Sequence, residues 1–155
     1  MQNWICNKFK ISSVFNIFDY FSEPPKSFSI IRNKKPVSHG GQVTVIDGKV
    51  ETVTCESRKS NPAPSLRWFL GEKELTPSVQ NNETEHNDTR RWRSYSTLEH
   101  IFTLNDFGKL LTCKVYHPAY VKSPQQSSVS LDLLCKYFNR MKSAHFISAF
   151  NLIYF

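Results

Sequence analysis

The sequence lacks any apolar run that could cross a lipid bilayer, which takes about 20 residues of helix. The first 21 residues are partly apolar, but charged and polar side chains interrupt them, and no small-residue cleavage site of a secretory signal follows. The apolar run at residues 145–155 is too short to span. No segment of this chain therefore explains attachment to a membrane.

Motifs of common catalytic and metal sites are also missing. The sequence has no nucleophile elbow, no glycine-rich phosphate-binding loop and no paired His-Glu zinc motif. No two of its five histidines are three to five residues apart, the spacing that places two ligands on one metal ion. We therefore predict that the protein is not an enzyme and uses no metal or other cofactor.

The central part of the chain has no excess of positive charge, although the whole chain carries a formal net charge of +7. Between Val37 and Leu134, eleven Lys and Arg residues balance eleven Asp and Glu residues. The excess lies in the flanks, with +4 in residues 1–36 and +3 in residues 135–155. Because a nucleic-acid-binding domain carries its charge on the folded surface, we predict no nucleic-acid partner.

Short alternating segments separated by turn residues predict an all-β fold, an antiparallel β-sandwich of seven or eight strands. No stretch has clear helical periodicity. Asp47-Gly48 predicts a hairpin turn, and residues 76–90 a loop or weak edge strand. The predicted strands are residues 27–31 (an edge strand), 42–46, 50–57, 65–70, 73–75, 92–102, 110–117 and 127–134.

Cysteine usage predicts one structural disulfide. The four cysteines, Cys6, Cys55, Cys113 and Cys135, permit three complete pairings. Only Cys55 and Cys113 both lie in predicted strands, and Trp68 lies on a third strand between them in sequence. We predict that Cys55 and Cys113 join the two sheets beside Trp68, which requires an oxidising compartment.

The domain is expected to run from residue 25 to residue 134. Consecutive prolines at 24 and 25 are typical of a linker. Residues 1–24 and 135–155 show no clean period, and we expect each to be a poorly ordered or non-native extension.

Several short motifs between residues 24 and 134 recur together in one known family of domains. They are Thr54-Cys55, the run SNPAPSLRW ending at Trp68, Ser96-Thr97-Leu98, Asp106, Gly108, Leu111-Thr112-Cys113, and VYHPA from Val115 to Ala119. With these motifs, about residues 24–134 resemble the immunoglobulin superfamily, and within it the constant-type domains of cell-adhesion receptors such as the nectins, nephrin, and the arthropod sidestep and beaten-path receptors. Leu111 replaces the tyrosine that many immunoglobulin domains carry two positions before the second cysteine, as in the constant-type adhesion subset.

The resemblance implies an extracellular, cell-surface domain that acts in recognition and adhesion by protein–protein contact. The implied partner is a cell-surface protein, a homophilic or heterophilic receptor of the immunoglobulin family. The chain would then be a fragment of a longer receptor, and we expect membrane attachment only in that full-length protein. Two alternatives stay open: a structural spacer domain without its own ligand, and a basic secreted binding module.

A candidate interface lies on the reverse of the strand that carries Trp68. Alternation along the strands places Arg67, Phe69, Lys114 and Tyr116 on one outer face, where an exposed aromatic residue flanked by cations is typical of a binding hot spot. Alternatively, the neighbouring edge strand and loops cover Phe69, or the domain serves only as a spacer.

Two features of the polar segment between Thr76 and Arg93 remain. Its sequons, Asn82-Glu83-Thr84 and Asn87-Asp88-Thr89, predict N-glycosylation at Asn82 and Asn87. The run from Thr89 to Arg93 could bind sulfated glycans or an acidic protein. We instead expect its arginines to form ion pairs with nearby acids, namely Glu83, Glu85 and Asp88.

Overall fold

Ten β-strands make up most of the described chain, which in this computed structural model comprises residues 22–135. The expectations for residues 1–24 and 135–155 fall almost entirely outside these residues. The strands are β1 Ser27–Arg32, β2 Lys35–Val37, β3 Gln42–Ile46, β4 Val50–Ser60, β5 Ser65–Leu70, β6 Lys73–Leu75, β7 Val79–Glu85, β8 Asp88–Ile101, β9 Leu110–Tyr116 and β10 Gln125–Leu134. One 3₁₀ turn, Leu104–Asp106, lies between β8 and β9.

The strands form two five-stranded sheets, in the orders β2-β1-β4-β8-β7 and β3-β10-β9-β5-β6. All neighbouring strands are antiparallel except β3 and β10, which run parallel. The predicted β-sandwich is confirmed, with one parallel pairing added to the antiparallel ones.

The apolar positions of the alternating strands meet between the sheets and form the core. Trp68 on β5 and Leu98 on β8 are fully buried, as alternation predicts. Cys55 on β4 and Cys113 on β9 form the predicted disulfide, with their Cα atoms 6.3 Å apart, and so join the two sheets covalently.

The predicted hairpin at Asp47-Gly48 is wrong. β3 pairs with β10 in one sheet, whereas β4 pairs with β1 and β8 in the other, so this turn carries the chain between sheets. A contact with the segment after β8 stabilises this turn, because an Asp47 carboxylate oxygen accepts a hydrogen bond from the Leu104 N–H at 3.1 Å.

Two further predictions change at the sheet edges. β1 is not an edge strand, because the turn at Asn33-Lys34 returns the chain as β2, which pairs on its outer side. The segment 76–90 contains a regular edge strand, β7, which pairs with β8 along most of its length. β8 therefore begins at Asp88, four residues earlier than predicted.

Candidate functional site on the outer face of β5 and β9

The candidate interface is built on two adjacent antiparallel strands, β5 and β9. Trp68 and Cys113 lie directly opposite each other and point into the core, and Arg67 and Lys114 are the next directly opposed pair. Since successive side chains alternate between faces, Arg67 and Lys114 point outward. The four predicted residues therefore share one face of the sheet, which we call the β5–β9 face.

Two cation–π contacts connect the strands diagonally across this face. The Nζ atom of Lys114 lies 4.1 Å from the centroid of the Phe69 ring. The guanidinium carbon of Arg67 lies 5.1 Å from the centroid of the Tyr116 ring. Each contact joins one residue of β5 to one residue of β9, and at exposed sites such contacts contribute about 0.5–1 kcal/mol each. All four side chains thus belong to one cluster.

Phe69 is half-buried, and two hydroxyl groups lie beside it. Thr112 is directly opposite Phe69, and its hydroxyl hydrogen-bonds with that of Ser128 at 2.8 Å. Because one of these hydroxyls donates to the other, this part of the face is polar and its two hydroxyls are paired with each other. Phe69 is neither fully buried nor fully exposed, because Lys114 lies over its ring and Glu74 of edge strand β6 is its direct cross-strand partner.

Acidic side chains neutralise the two cations of this face only in part. A Glu74 oxygen on edge strand β6 lies 3.8 Å from an Arg67 nitrogen, and about half of each side chain is exposed to solvent. Such an exposed pair contributes about 0–1 kcal/mol. Lys114 forms no ion pair with any residue among 22–135.

Sequence reasoning missed Glu74, Thr112 and Ser128. Glu74 pairs directly with Phe69 across the short turn between β5 and β6. Treating that turn as a tight hairpin would have placed Glu74 beside Phe69, because opposed residues in an antiparallel pair share a face. The sequence around Ser128 does not indicate that it lies beside Thr112, because this placement depends on the register of β10 against β9.

The basic stretch from Thr89 to Arg93 lies on the other sheet, and its arginines are paired. Arg93 contacts Glu56 and, at 2.7 Å, Glu83. The hydrogen bond that Arg93 donates to Glu56 is the main influence that raises the pKa of Arg93 above its ordinary value, against the opposing effect of burial. Arg90 and Arg91 both pair with Asp88.

The ion-pair interpretation of this stretch is confirmed for Glu83 and Asp88. It is wrong for Glu85, which instead pairs with Arg58 at 3.5 Å. Arg93 is thus held between two glutamates, whereas Arg90 remains 89% exposed and shares Asp88 with Arg91.

Both sequon asparagines are exposed and lie outside the sheet that carries the β5–β9 face. Asn82 is on edge strand β7, and Asn87 is in the turn between β7 and β8. Both side chains are exposed and belong to the sheet opposite the one that carries Phe69.

Within residues 22–135, no three His, Cys, Asp or Glu side chains come together as metal ligands would. In the same part of the chain, no helix has the length and apolarity needed to cross a membrane.

The two-sheet sandwich with a disulfide between the sheets, packed beside a buried tryptophan, defines an immunoglobulin-type domain. Residues 30–123 match the family of CD80-like C2-set immunoglobulin domains. This match covers more than half of the chain, and the chain belongs to that family. Leu111 in place of the tyrosine is consistent with the constant-type subset.

Curated relatives of the chain include cell-adhesion proteins. Human Cell adhesion molecule 2 is 28% identical over 100 residues, which are 64% of this chain and 23% of that protein. Rat nephrin is 28% identical over 111 residues, which are 71% of this chain and 8% of that protein. The chain thus spans about a quarter or less of the length of these relatives.

Solved structures show the same fold. The full ectodomain of mouse nectin-like molecule 4 (Ig1–Ig3) superposes with a TM-score of 0.56 and 19% identity, covering 74% of this chain and 35% of that chain. Rst D1-D2 superposes with a TM-score of 0.61 and 15% identity, covering 73% and 51%. The predicted resemblance to constant-type domains of adhesion receptors is confirmed, and domains of this family are not enzymes.

Proposed function

We propose that this domain acts outside the cell, at a cell surface, and contributes to adhesion by docking on another cell-surface protein through the β5–β9 face. Similarity to Cell adhesion molecule 2 supports the adhesive role. The Cys55–Cys113 disulfide supports an oxidising, extracellular setting.

The observation that carries the proposal is the cluster of two cation–π contacts on the β5–β9 face. Binding hot spots are enriched in aromatic side chains and arginine, and they bind best when their geometry is fixed before the partner arrives. Lys114 and Arg67 hold Phe69 and Tyr116 in place from the opposite strand. Trp68, packed on the reverse of the same strand, makes the support rigid.

Replacing Phe69 with Asp tests the proposal in an assay of adhesion between cells that display the protein and cells that carry other surface proteins. The substitution removes the aromatic contact surface and inserts a charge at the centre of the face. We expect adhesion or partner binding to fall by about tenfold or more, the effect of losing a hot-spot aromatic residue. Thermal unfolding of the purified variant must show a folded domain.

Phe107→Asp is the matched control, because Phe107 is 64% exposed and lies in the turn after β8, away from the face. We expect it to leave binding unchanged. Equal binding by the wild type and both variants would contradict the docking role.

A second candidate function, a spacer that packs against a neighbouring domain, is favoured by a different observation. Most of the large exposed apolar side chains lie around the end of the sandwich where β10 finishes: Val50, Ile101, Leu104, Phe107, Leu110 and Leu134. Hydrogen bonds from the Asp47-Gly48 turn to Leu134 and Phe102 hold this end together. Full binding after Phe69→Asp, with loss of stability or of interdomain order after Phe107→Asp in a longer chain, would favour the spacer.

A further inference from the structure

Two cations lie directly opposite each other at the centre of the β5–β9 face. Arg67 and Lys114 are cross-strand partners, and like charges in this position repel each other. Each cation contacts an aromatic ring of the opposite strand. No acid on this face forms a close ion pair with either cation among residues 22–135. The arrangement keeps two positive charges in contact with solvent and next to apolar surface.

Two arginines of the opposite sheet are paired more closely with acids. Arg32 pairs with Glu51 at 2.9 Å, and both side chains are largely buried. Arg93 contacts both Glu56 and Glu83. On the β5–β9 face, by contrast, the exposed Glu74 is the one acid within ion-pair distance of either cation among residues 22–135. An excess of positive charge therefore remains on this face, although Val37 to Leu134 is neutral as a whole.

A second copy of the chain fits this face poorly. A two-fold contact brings the same patch of both copies together. Four cations would then share one interface with two Glu74 carboxylates, and each carboxylate is already within reach of an arginine. Like charges brought together across an interface disfavour that pairing.

From this charge pattern we infer that the occupant of the β5–β9 face is a different protein, one that presents acidic side chains beside apolar ones. This inference rests on the proposed docking function and specifies the partner. Carboxylates of the partner would lie between Arg67 and Lys114, and its apolar groups would pack on Phe69 and Tyr116. Binding would then be heterophilic and would weaken with salt.

A peptide probe tests the preference of the face directly. The ¹⁵N-labelled protein is titrated with a capped peptide of sequence Glu-Phe-Glu-Phe-Glu and, separately, with its Gln-Phe-Gln-Phe-Gln counterpart. We expect amide shifts in β5 and β9 and about fivefold tighter binding of the acidic peptide at low salt. Because the Debye length is about 3 Å at 1 M salt, we expect that difference to disappear there.

Lys114→Gln keeps most of the side-chain volume and removes the charge. We expect it to weaken binding of the acidic peptide about threefold more than binding of the Gln peptide, because only the acidic peptide loses a charged partner. Lys49→Gln is the matched control, because Lys49 is an exposed lysine in the turn between β3 and β4. We expect this control to bind both peptides as the wild type does.

Three outcomes would overturn the inference: equal binding of the two peptides, shifts centred on Arg90 to Arg93, or a dimer in sedimentation that Lys114→Gln dissociates. If one of these occurs while Phe69→Asp still abolishes adhesion, the proposed adhesive function is supported and the inference of an acidic partner is refuted. If adhesion survives Phe69→Asp while the acidic peptide still binds β5 and β9, the adhesive role of the face is refuted, and its preference for acidic ligands is supported.

Discussion

The indole Nε1 of Trp68 lies 3.1 Å from the Oγ of Ser96 and donates a hydrogen bond to it across the interior. Trp68 is on β5 and Ser96 is on β8, so this bond joins the two sheets. Ser96 is also the cross-strand partner of Cys55, which places the hydrogen bond next to the disulfide. Together these links fix the position of β5, and therefore of Arg67 and Phe69 on its outer side.

Ser96→Ala should destabilise the domain by about 1–3 kcal/mol. The substitution removes the hydroxyl that accepts from the indole and leaves a buried N–H without a partner, which costs the desolvation of that group. Both residues are fully buried, so water is not expected to replace the lost acceptor easily. Urea unfolding of the two proteins at neutral pH measures the difference.

Ser94→Ala is the matched control for this prediction. Ser94 is on the same strand and is also fully buried, but its Oγ has no hydrogen-bond partner. Removing an unpaired hydroxyl should therefore change stability by less than about 0.5 kcal/mol, or increase it slightly. Equal losses in both variants would show that the Trp68–Ser96 bond contributes nothing of its own.

Removing the disulfide with Cys55→Ala and Cys113→Ala together should destabilise the domain by about 4 kcal/mol. The two cysteines are 58 residues apart in sequence, and the chain-entropy estimate for a loop of this length gives that magnitude. Chemical unfolding measures the loss, and peptide mapping of the non-reduced protein identifies the bond. Cys135→Ser, which changes an exposed free thiol, is the control and should have no effect.

The residues of the β5–β9 face could be predicted from the sequence because alternation is a strong local signal. In β5, the order Leu66, Trp68, Leu70 fixes which side is buried, and the observed strand has the predicted bounds. In β9, the alternation of Leu111, Cys113 and Val115 fixes the buried side in the same way, although the strand ends one residue earlier than predicted. Once these inward sides are known, Arg67 and Lys114 must both face outward.

The contacts on that face could not be predicted, because they depend on register. A shift of β9 by two residues against β5 would keep Lys114 outward but move it away from Arg67. The observed register follows from packing around Trp68 and Cys113, which lie opposite each other. Nothing local in either strand encodes this pairing.

Turn residues also proved ambiguous, because a turn signal does not say which sheet the next strand joins. Asp47-Gly48 has the composition of a hairpin, yet it connects different sheets. Conversely, Asn33 and Lys34 form a true two-residue hairpin turn with φ values of 51° and 62°. Lysine rarely adopts such a conformation, so this turn gave no usable signal.

His117 should make the domain less stable in mild acid. Its Nδ1 accepts a hydrogen bond from the Ala119 N–H at 3.2 Å, so the proton of the neutral ring is on Nε2, which donates to the Pro62 carbonyl at 3.1 Å. Burial lowers the pKa of His117 below its ordinary value of 6.5, partly offset by backbone contacts to Pro62 and Asn61. As the pH falls, His117 is therefore protonated in the unfolded chain before it is protonated in the folded domain. The stabilisation that neutral His117 provides is fully present above about pH 6.5 and declines below it.

Thermal unfolding midpoints of the wild type and His117→Gln, measured between pH 7.5 and pH 5, test this prediction. We expect the wild-type midpoint to fall over this range and the midpoint of the variant to fall less. His86→Gln is the control, because His86 is exposed in the turn after β7, and it should follow the wild type. Parallel pH profiles for the wild type and His117→Gln would refute a role for the His117 proton.

Asn82 and Asn87 should both carry N-linked glycans when the protein is secreted from eukaryotic cells. Both sequon asparagines are exposed, and Asn82 lies on the outer edge strand β7, where no further strand pairs among the described residues. A bulky glycan there would also hinder edge-to-edge pairing with another sheet.

The measurement is the electrophoretic mobility of the secreted protein before and after enzymatic deglycosylation. Asn82→Gln and Asn87→Gln should each remove one step in apparent mass, and the double variant should match the deglycosylated protein. Asn105→Gln, an exposed asparagine outside any sequon, should leave the mobility unchanged. Because both glycans would lie on the sheet opposite Phe69, the double variant should bind through the β5–β9 face as well as the wild type does. A loss of binding in that variant would show instead that the sheet carrying β7 takes part in docking.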